Sequence, residues 1–145
     1  MTCTGVCVFD LGTQQPVFIG SIKTKPKETH GERLNAIRNY MRDIINTYKP
    51  YEVAIEKGFT MHNTSTQVIY RVHGITNELF YEYPQFYYAP TTVKKLVGHH
   101  GKAKKDVVQQ FVLKAYPNIN FKNEDESDAV GVAISHLIKK YKMKW

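Results

Sequence analysis

Cysteine, glycine, proline and long apolar runs are all scarce in this sequence of 145 residues. Two cysteines, nine glycines and six prolines are too few for a disulfide-stapled scaffold or a low-complexity chain. No apolar run approaches the roughly 20 residues that a transmembrane helix requires, and the first segment has no basic flank typical of a secretion signal. Cys3 and Cys7 share one apolar segment, as buried thiols of a reducing compartment do. We therefore expect one soluble, intracellular domain over residues 1–145.

Acidic residues are also outnumbered. Thirteen Asp and Glu stand against twenty Lys and Arg, a formal charge of +7. Such an excess favours a polyanionic partner such as nucleic acid, although many basic proteins bind none. Several of the few acids lie inside apolar segments, where solubility does not explain them, and these are the candidates for chemistry.

Hydrophobic periodicity predicts an α/β fold in which two strands come first and later strands alternate with helices. A β-branched stretch at 4–9 predicts a buried strand with a hairpin partner at 16–22. An acidic loop at 123–126 is expected to precede the last helix. This order implies a mixed sheet with helices packed on its faces. The other predicted elements are strands at 51–55 and 86–89 and helices at 34–48, 64–80, 92–97 and 107–115.

Two carboxylates end predicted strands, where an unpaired charge is costly. Asp10 ends the first strand, and Gly12, two residues further on, would let the backbone turn and leave space beside the carboxylate. Glu56 ends the strand YEVAIE directly before Lys57. A turn or cap role for Asp10 and a salt bridge between Glu56 and a neighbouring lysine are the structural alternatives.

A second acidic pair opens the last helix. Asp125 and Asp128 are three residues apart and share a helix face. The helix dipole favours one acid there, but two repel unless a cation lies between them; a solvated acidic cap is the alternative. Carboxylates without His or Cys partners suit hard cations such as Mg²⁺ or Mn²⁺. Two such ions can activate a water at a phosphodiester and stabilise the leaving oxygen.

Four stretches, three of which carry these acids, occur in a consistent order over nearly the whole chain: VCVFDLGT (6–13), VAIEKGF (53–59), APTTVKKLVGHHGKAKKDVV (89–108) and DESDAVGVAISHLI (125–138). Together they resemble the RuvC-type Holliday junction resolvases of the ribonuclease-H-like superfamily. The chain is similar to the compact phage-type versions. It departs from the family pattern at Leu11, where bacterial members usually carry Pro, and at the pair His99 and His100.

The resemblance implies a ribonuclease-H-like fold, with a mixed central sheet and helices on both faces. It assigns catalysis and the binding of two Mg²⁺ ions, with Mn²⁺ as a substitute, to four acids: Asp10, Glu56, Asp125 and Asp128. It assigns DNA phosphates to Lys94 and Lys105, and a base contact to Phe59. Lys102 and Lys104 continue the same basic run, for which a solvated surface is the alternative; an ordinary core role is the alternative for Phe59.

The function implied is the resolution of four-way junctions by paired nicks. Because the two nicks are related by a two-fold axis, a homodimer is expected, with the helix at 64–80 as its interface. The expected location is the cytoplasm of a bacterium or a phage-infected host, with no membrane partner. Two alternatives remain open: a flap, fork or hybrid-cutting nuclease of the same fold, and a non-catalytic protein that binds branched DNA. For His136, a structural role is favoured over support of a carboxylate.

Overall fold

The computed structural model describes residues 2–58 and 64–145, with side chains from residue 68 onward in the second range. The elements follow the predicted order. The strands are β1 (Cys3–Asp10), β2 (Gln15–Lys23), β3 (Val53–Glu56) and β4 (Gln85–Tyr88), and the helices are α1 (His30–Tyr48), α2 (Thr64–Leu79), α3 (Pro90–Val97), α4 (Lys105–Ala115) and α5 (Glu124–Tyr141).

The strands pair in both orientations. β1 and β2 form an antiparallel hairpin from Cys3 opposite Lys23 to Asp10 opposite Gln15. β3 and β4 are parallel, and Glu56 lies opposite Tyr88. Within the described ranges these are two two-stranded sheets rather than one continuous ladder, and residues of both β1 and β3 line a common cavity.

Helices cover both faces of the β1–β2 hairpin, as expected. Successive residues of a strand face opposite sides of a sheet. On one side, a Cβ at Gly20 would lie 2.5 Å from the hydroxyl of Tyr40 in α1. On the other side, the neighbouring Ser21 donates a 2.6 Å hydrogen bond from Oγ to Glu126 Oε2 in α5. The α/β class and its layered arrangement are therefore confirmed.

Helix α5 lies directly on β1, and a glycine makes this approach possible. A Cβ at Gly5 would lie 2.0 Å from the carbonyl oxygen of Asp125, so any side chain there would push the helix away. Further along, the Cys7 thiol donates to the carbonyl oxygen of Ala129 at 3.3 Å. This contact buries the thiol and raises its pKa to about 12 through desolvation, which makes Cys7 an inert core residue.

The acidic segment before α5 is helical rather than a loop. Asn123 caps the helix by accepting a hydrogen bond from the backbone N–H of Glu126, and Glu124 is the first helical residue. Glu126 reaches back to accept from the backbone N–H of Lys122 at 3.2 Å. The predicted loop at 123–126 is therefore wrong, because a side-chain cap at Asn123 lets the helix begin among the acids.

The main core lies between α3, α4 and α5. Its residues are fully or nearly fully buried and mostly β-branched. Because the core joins α5 to both basic helices, it fixes the acidic start of α5 relative to the start of α4. The buried members are Val93, Val97, Ala103, Val108, Val112, Tyr116, Val130, Val132 and Ile134.

Candidate active site

A single cavity of about 1080 Å³ collects the acids and two of the lysines that the sequence singled out. It opens between the ends of β1 and β3 and the starts of α4 and α5, and it continues inward between apolar side chains of β1, β3 and α2. The charged residues lining it are Asp10, Glu56, Lys94, Lys105, Asp125 and Asp128, together with Glu52, Lys49 and Lys57.

Glu56 and Asp128 form the electrostatic centre of this cavity. Partial desolvation raises the pKa of Glu56, and the charges of Asp128 and Asp125 raise it further against the opposing effect of Lys105 and Lys94. Desolvation also raises the pKa of Asp128; the charge and the hydrogen bond of Lys105 oppose this rise, and Asp125 and Glu124 add smaller repulsion. Desolvation thus disfavours the charged form of both carboxylates, and at Glu56 the repulsion from Asp128 adds to it. An additional cation would relieve that cost.

Lys105, the first residue of α4, supplies part of the missing positive charge. Its Nζ lies 3.2 Å from Asp128 Oδ2 and 3.6 Å from Glu124 Oε2. Burial would lower the pKa of Lys105, but Asp128 and Glu124 outweigh that effect and raise it. The sequence offered no indication of this pairing, since 23 residues separate Lys105 from Asp128.

Asp10 lines the cavity, but its carboxylate also holds the turn that follows β1. Its Oδ2 accepts a 2.7 Å hydrogen bond from the backbone N–H of Thr13. The hydrogen bonds from Thr13, and then Gly12, lower the pKa of Asp10. The turn role considered from the sequence is thus present. The left-handed backbone falls on Gln14, with φ of 56°, and not on Gly12. Gly12 instead leaves space, since a Cβ there would lie 3.3 Å from Asp10 Oδ2.

Asp125 interacts with three side chains. Its charge acts on Glu56 in β3 and on Asp128 in its own helix. It also accepts a hydrogen bond from the thiol of Cys3, whose pKa is raised by burial and then by this contact. Asp125 therefore contacts a group of β1 in addition to acting on the other acids of the cavity.

The donor set fits a hard divalent cation by its chemistry. The candidate ligands are carboxylate oxygens, the type that Mg²⁺ and Mn²⁺ prefer. Within residues 2–58 and 64–145, no three His, Cys, Asp or Glu side chains converge as a closed ligand set. Asp128 is instead paired with Lys105, and Asp10 with the backbone of Thr13. The fit rests on the donor chemistry and on the raised pKa values of Glu56 and Asp128, whose charged forms a cation would stabilise.

The other predicted DNA contacts lie around the cavity or beyond it. Lys94 in α3 acts electrostatically on Glu56. Lys102 and Lys104 are exposed in the connection between α3 and α4. Phe59 lies outside the described residues, so the structure gives no information on it.

The three histidines left open by the sequence have local structural contacts. The ring of His99 packs edge-on against Phe111 with centroids 4.7 Å apart. His100 Nδ1 accepts a hydrogen bond from the backbone N–H of Lys102 at 3.0 Å. His136 is buried, with Nδ1 2.7 Å from the Tyr88 hydroxyl and Nε2 2.9 Å from Glu52 Oε1. The structural reading of His136 therefore agrees with its surroundings.

Two aromatic residues that the sequence analysis did not identify, Tyr116 and Trp145, hold backbone segments next to the site. The Tyr116 hydroxyl donates to the carbonyl oxygen of Gln14 at 2.9 Å and so holds the turn after Asp10. The Trp145 indole donates to the carbonyl oxygen of Val97 at 2.8 Å, at the end of the basic helix α3. The two rings lie 6.2 Å apart. These contacts join distant parts of the chain, and no local pattern predicts them.

Carboxylates at two strand ends and at a helix start, beside lysines in an α/β fold, are the arrangement that a metal-dependent nuclease would use. The family described as crossover junction endodeoxyribonuclease RuvC matches residues 1–136. A protein of that name from Wolbachia sp. subsp. Brugia malayi is 33% identical, in an alignment that covers 97% of this chain and 90% of that protein. Another from Dechloromonas aromatica is 33% identical and covers 92% of this chain and 77% of that protein. The chain belongs to the RuvC family.

Solved structures of the family show the same fold. Thermus thermophilus RuvC matches with a TM-score of 0.76 at 22% identity, covering 88% of this chain and 80% of that one. T. thermophilus RuvC in complex with Holliday junction substrate matches with a TM-score of 0.84 at 20% identity, covering 97% and 89%. The ribonuclease-H-like fold expected from the sequence is therefore confirmed. Of the helices described, none has the length and apolar character needed to cross a membrane.

Proposed function

We propose that this chain, acting as one domain over residues 1–145, resolves four-way DNA junctions by paired nicks through metal-dependent phosphodiester hydrolysis. The observation that carries the proposal is the match to the crossover junction endodeoxyribonuclease family over residues 1–136. Lysines and carboxylates that line one cavity support it, together with the raised pKa of Glu56, because a phosphodiester substrate needs positive charge for binding and a metal site for cleavage.

Asp10, Glu56, Asp125 and Asp128 are the proposed ligands of two Mg²⁺ ions, for which Mn²⁺ would substitute. Ions bound there would activate a water and stabilise the leaving oxygen. The raised pKa values of Glu56 and Asp128 support this assignment, since both groups gain from a nearby cation. No Ser, Cys or Tyr nucleophile is required.

The lysines bind and orient the substrate in this proposal. Lys94, Lys102, Lys104 and Lys105 would contact DNA phosphates, and Phe59 would press against bases at the junction centre. Each phosphate contact releases counterions, so junction binding should weaken steeply as salt concentration rises.

A homodimer is proposed because the two nicks are symmetric, with α2 as the interface. Exposed apolar side chains on α2 support this choice. Ile69 and Tyr70 are 37% and 46% exposed, and Tyr87 of β4, 44% exposed, joins them through His73. Sedimentation of the wild-type protein tests the proposed dimer, and a monomer at working concentrations would contradict it.

Cleavage of a mobile four-way junction tests the function, with flap, duplex and RNA–DNA hybrid controls, in Mg²⁺ and in EDTA. Asp10→Asn and Asp128→Asn are measured alongside, and binding is assayed separately. We expect symmetric paired nicks in Mg²⁺ and none in EDTA, lost in both variants while junction binding persists.

Each alternative function predicts a different result. Cleavage of flaps or hybrids as well as junctions would retain the metal chemistry and contradict resolvase selectivity. Tight junction binding without metal-dependent cleavage of any substrate would identify a DNA-binding protein whose acids are structural.

A further inference from the structure

We propose that Lys105 is a shared cation that couples metal binding to DNA binding. It pairs with Asp128 when no metal is bound, and it turns to a DNA phosphate when a divalent ion takes its place. The carrying observation is the contact of Lys105 Nζ with Asp128 Oδ2 at 3.2 Å, with Glu124 Oε2 at 3.6 Å. The inference rests on the proposed function, since it requires that the protein binds both a metal and a junction.

The two roles of Lys105 exclude each other. A divalent ion bound to Asp128 would lie beside an ammonium group that contacts the same carboxylate, and the two positive charges would repel at that distance. An ammonium group held by Asp128 also has less charge to offer a phosphate. Lys105 therefore serves either the acid or the DNA, and the occupancy of Asp128 decides which.

The contact is suited to exchange. The side chain of Lys105 is 58% exposed and that of Asp128 is 34% exposed, and ion pairs this open to solvent contribute little stability. Lys105 is also the first residue of α4, where the helix dipole disfavours a cation. The acids, rather than the helix, hold the ammonium group in place, and a flexible four-carbon stem lets it leave.

A neighbouring lysine makes the release productive. Lys94 lines the same cavity and acts electrostatically on Glu56, so a phosphate bound by Lys94 and a released Lys105 would lie next to the acids. Coupling of this kind is reciprocal: if the metal strengthens DNA binding through Lys105, DNA strengthens metal binding by the same factor.

The first test measures Mn²⁺ affinity without DNA, by calorimetry or by the spin-resonance signal of free Mn²⁺. Lys105→Met removes the competing cation, so we expect affinity to rise by about two- to fivefold, the range of an exposed ion pair. Lys105→Arg keeps the charge and should bind Mn²⁺ no more tightly than wild type. Lys114→Met is the matched control, because it removes an exposed lysine from the last turn of the same helix. Unchanged or weaker affinity in Lys105→Met would overturn the inference.

The second test measures junction affinity in EDTA and in Ca²⁺, with the strands checked afterwards for integrity. We expect Ca²⁺ to strengthen junction binding by the wild type and by Lys114→Met. The gain should be smaller in Lys105→Met. The affinity of this variant should therefore fall further below the wild type in Ca²⁺ than in EDTA. Equal loss with and without Ca²⁺ would make Lys105 a simple phosphate contact and overturn the coupling. A wild-type protein that binds neither Mn²⁺ nor the junction would overturn the proposed function itself.

Discussion

One glutamate lies at each end of β3. Glu52 is next to the end of α5 and Glu56 is next to its start, and their pKa values shift in opposite directions. Glu52, just before the strand, meets the last turns of the helix, where His136, Lys140 and Tyr141 all donate hydrogen bonds to it. Glu56, the last residue of the strand, meets the acidic first turn that contains Asp128. Two glutamates four residues apart thus have different surroundings. Glu52 has three hydrogen-bond donors, whereas repulsion from Asp128 acts on Glu56.

The pKa values express this difference. Burial alone would raise the pKa of Glu52, but hydrogen bonds from Lys140, Tyr141 and His136 lower it to about 2. For Glu56, desolvation and Asp128 act together and raise the pKa. A carboxylate with donors stabilises the fold, whereas one that lacks them weakens it and favours binding of a cation. The comparison supports the proposal that Glu56 belongs to the metal site, and it gives Glu52 a structural role.

The largest expected effect is on cleavage by Glu56→Gln. The amide cannot supply the negative charge of a metal ligand, so we expect junction cleavage to fall by more than about 100-fold, beyond the 10- to 100-fold cost of disturbing residues around a metal site. Unfolding in urea should show a stability equal to or above wild type, because a raised folded-state pKa means that the charged form is disfavoured by folding. If Glu56→Gln lost stability along with activity, the proposal that Glu56 is a metal ligand rather than a structural residue would be contradicted.

The next largest effect is on the stability of Glu52→Gln, which should lose stability and keep its cleavage activity. Replacing the carboxylate weakens three hydrogen bonds to a side chain only 9% exposed, and we expect a loss of about 2–3 kcal/mol in unfolding free energy. Cleavage per folded molecule should stay within about twofold of wild type, a difference of only about 0.4 kcal/mol in the barrier. Glu82→Gln, at an exposed position, is the control and should change neither quantity. Cleavage lost at full stability would place Glu52 in the active site.

The smallest effect is on the pH dependence of stability in the metal-free protein. The folded-state pKa of Glu52 lies below its ordinary value of 4.5, so its contribution is present above pH 4.5 and is lost as the pH falls towards about 2. Glu56 has the opposite sign, because its raised pKa makes protonation on acidification favour the folded state. Subtracting the Glu52→Gln curve from the wild-type curve should leave a decline over pH 4.5 to 2, and a flat difference would contradict it.

Much of the fold was predictable because its determinants are local. Alternation and helical spacing located the β1–β2 hairpin and all five helices to within a few residues. The errors fall at element ends, where one side chain decides the boundary. Pro90 begins α3 two residues before the predicted start at 92, as suits a residue without an N–H, and the cap at Asn123 moves the start of α5 into the acidic segment.

The site was predictable in part for the same reason. A carboxylate at a strand end and two acids three residues apart are visible in the chain, and the structure places all four acids on one cavity. The partners of those acids were not visible. Lys105 beside Asp128 and Cys3 beside Asp125 depend on how α4 and β1 pack against α5.

The sequence by itself therefore determined the class of fold, the family and the residue types available for chemistry, because periodicity and motif order are properties of neighbouring residues. Only the tertiary structure decided which carboxylates are satisfied and which remain short of positive charge. That outcome depends on desolvation and on distances between groups far apart in the chain, such as Glu52 with His136 and Glu56 with Asp128.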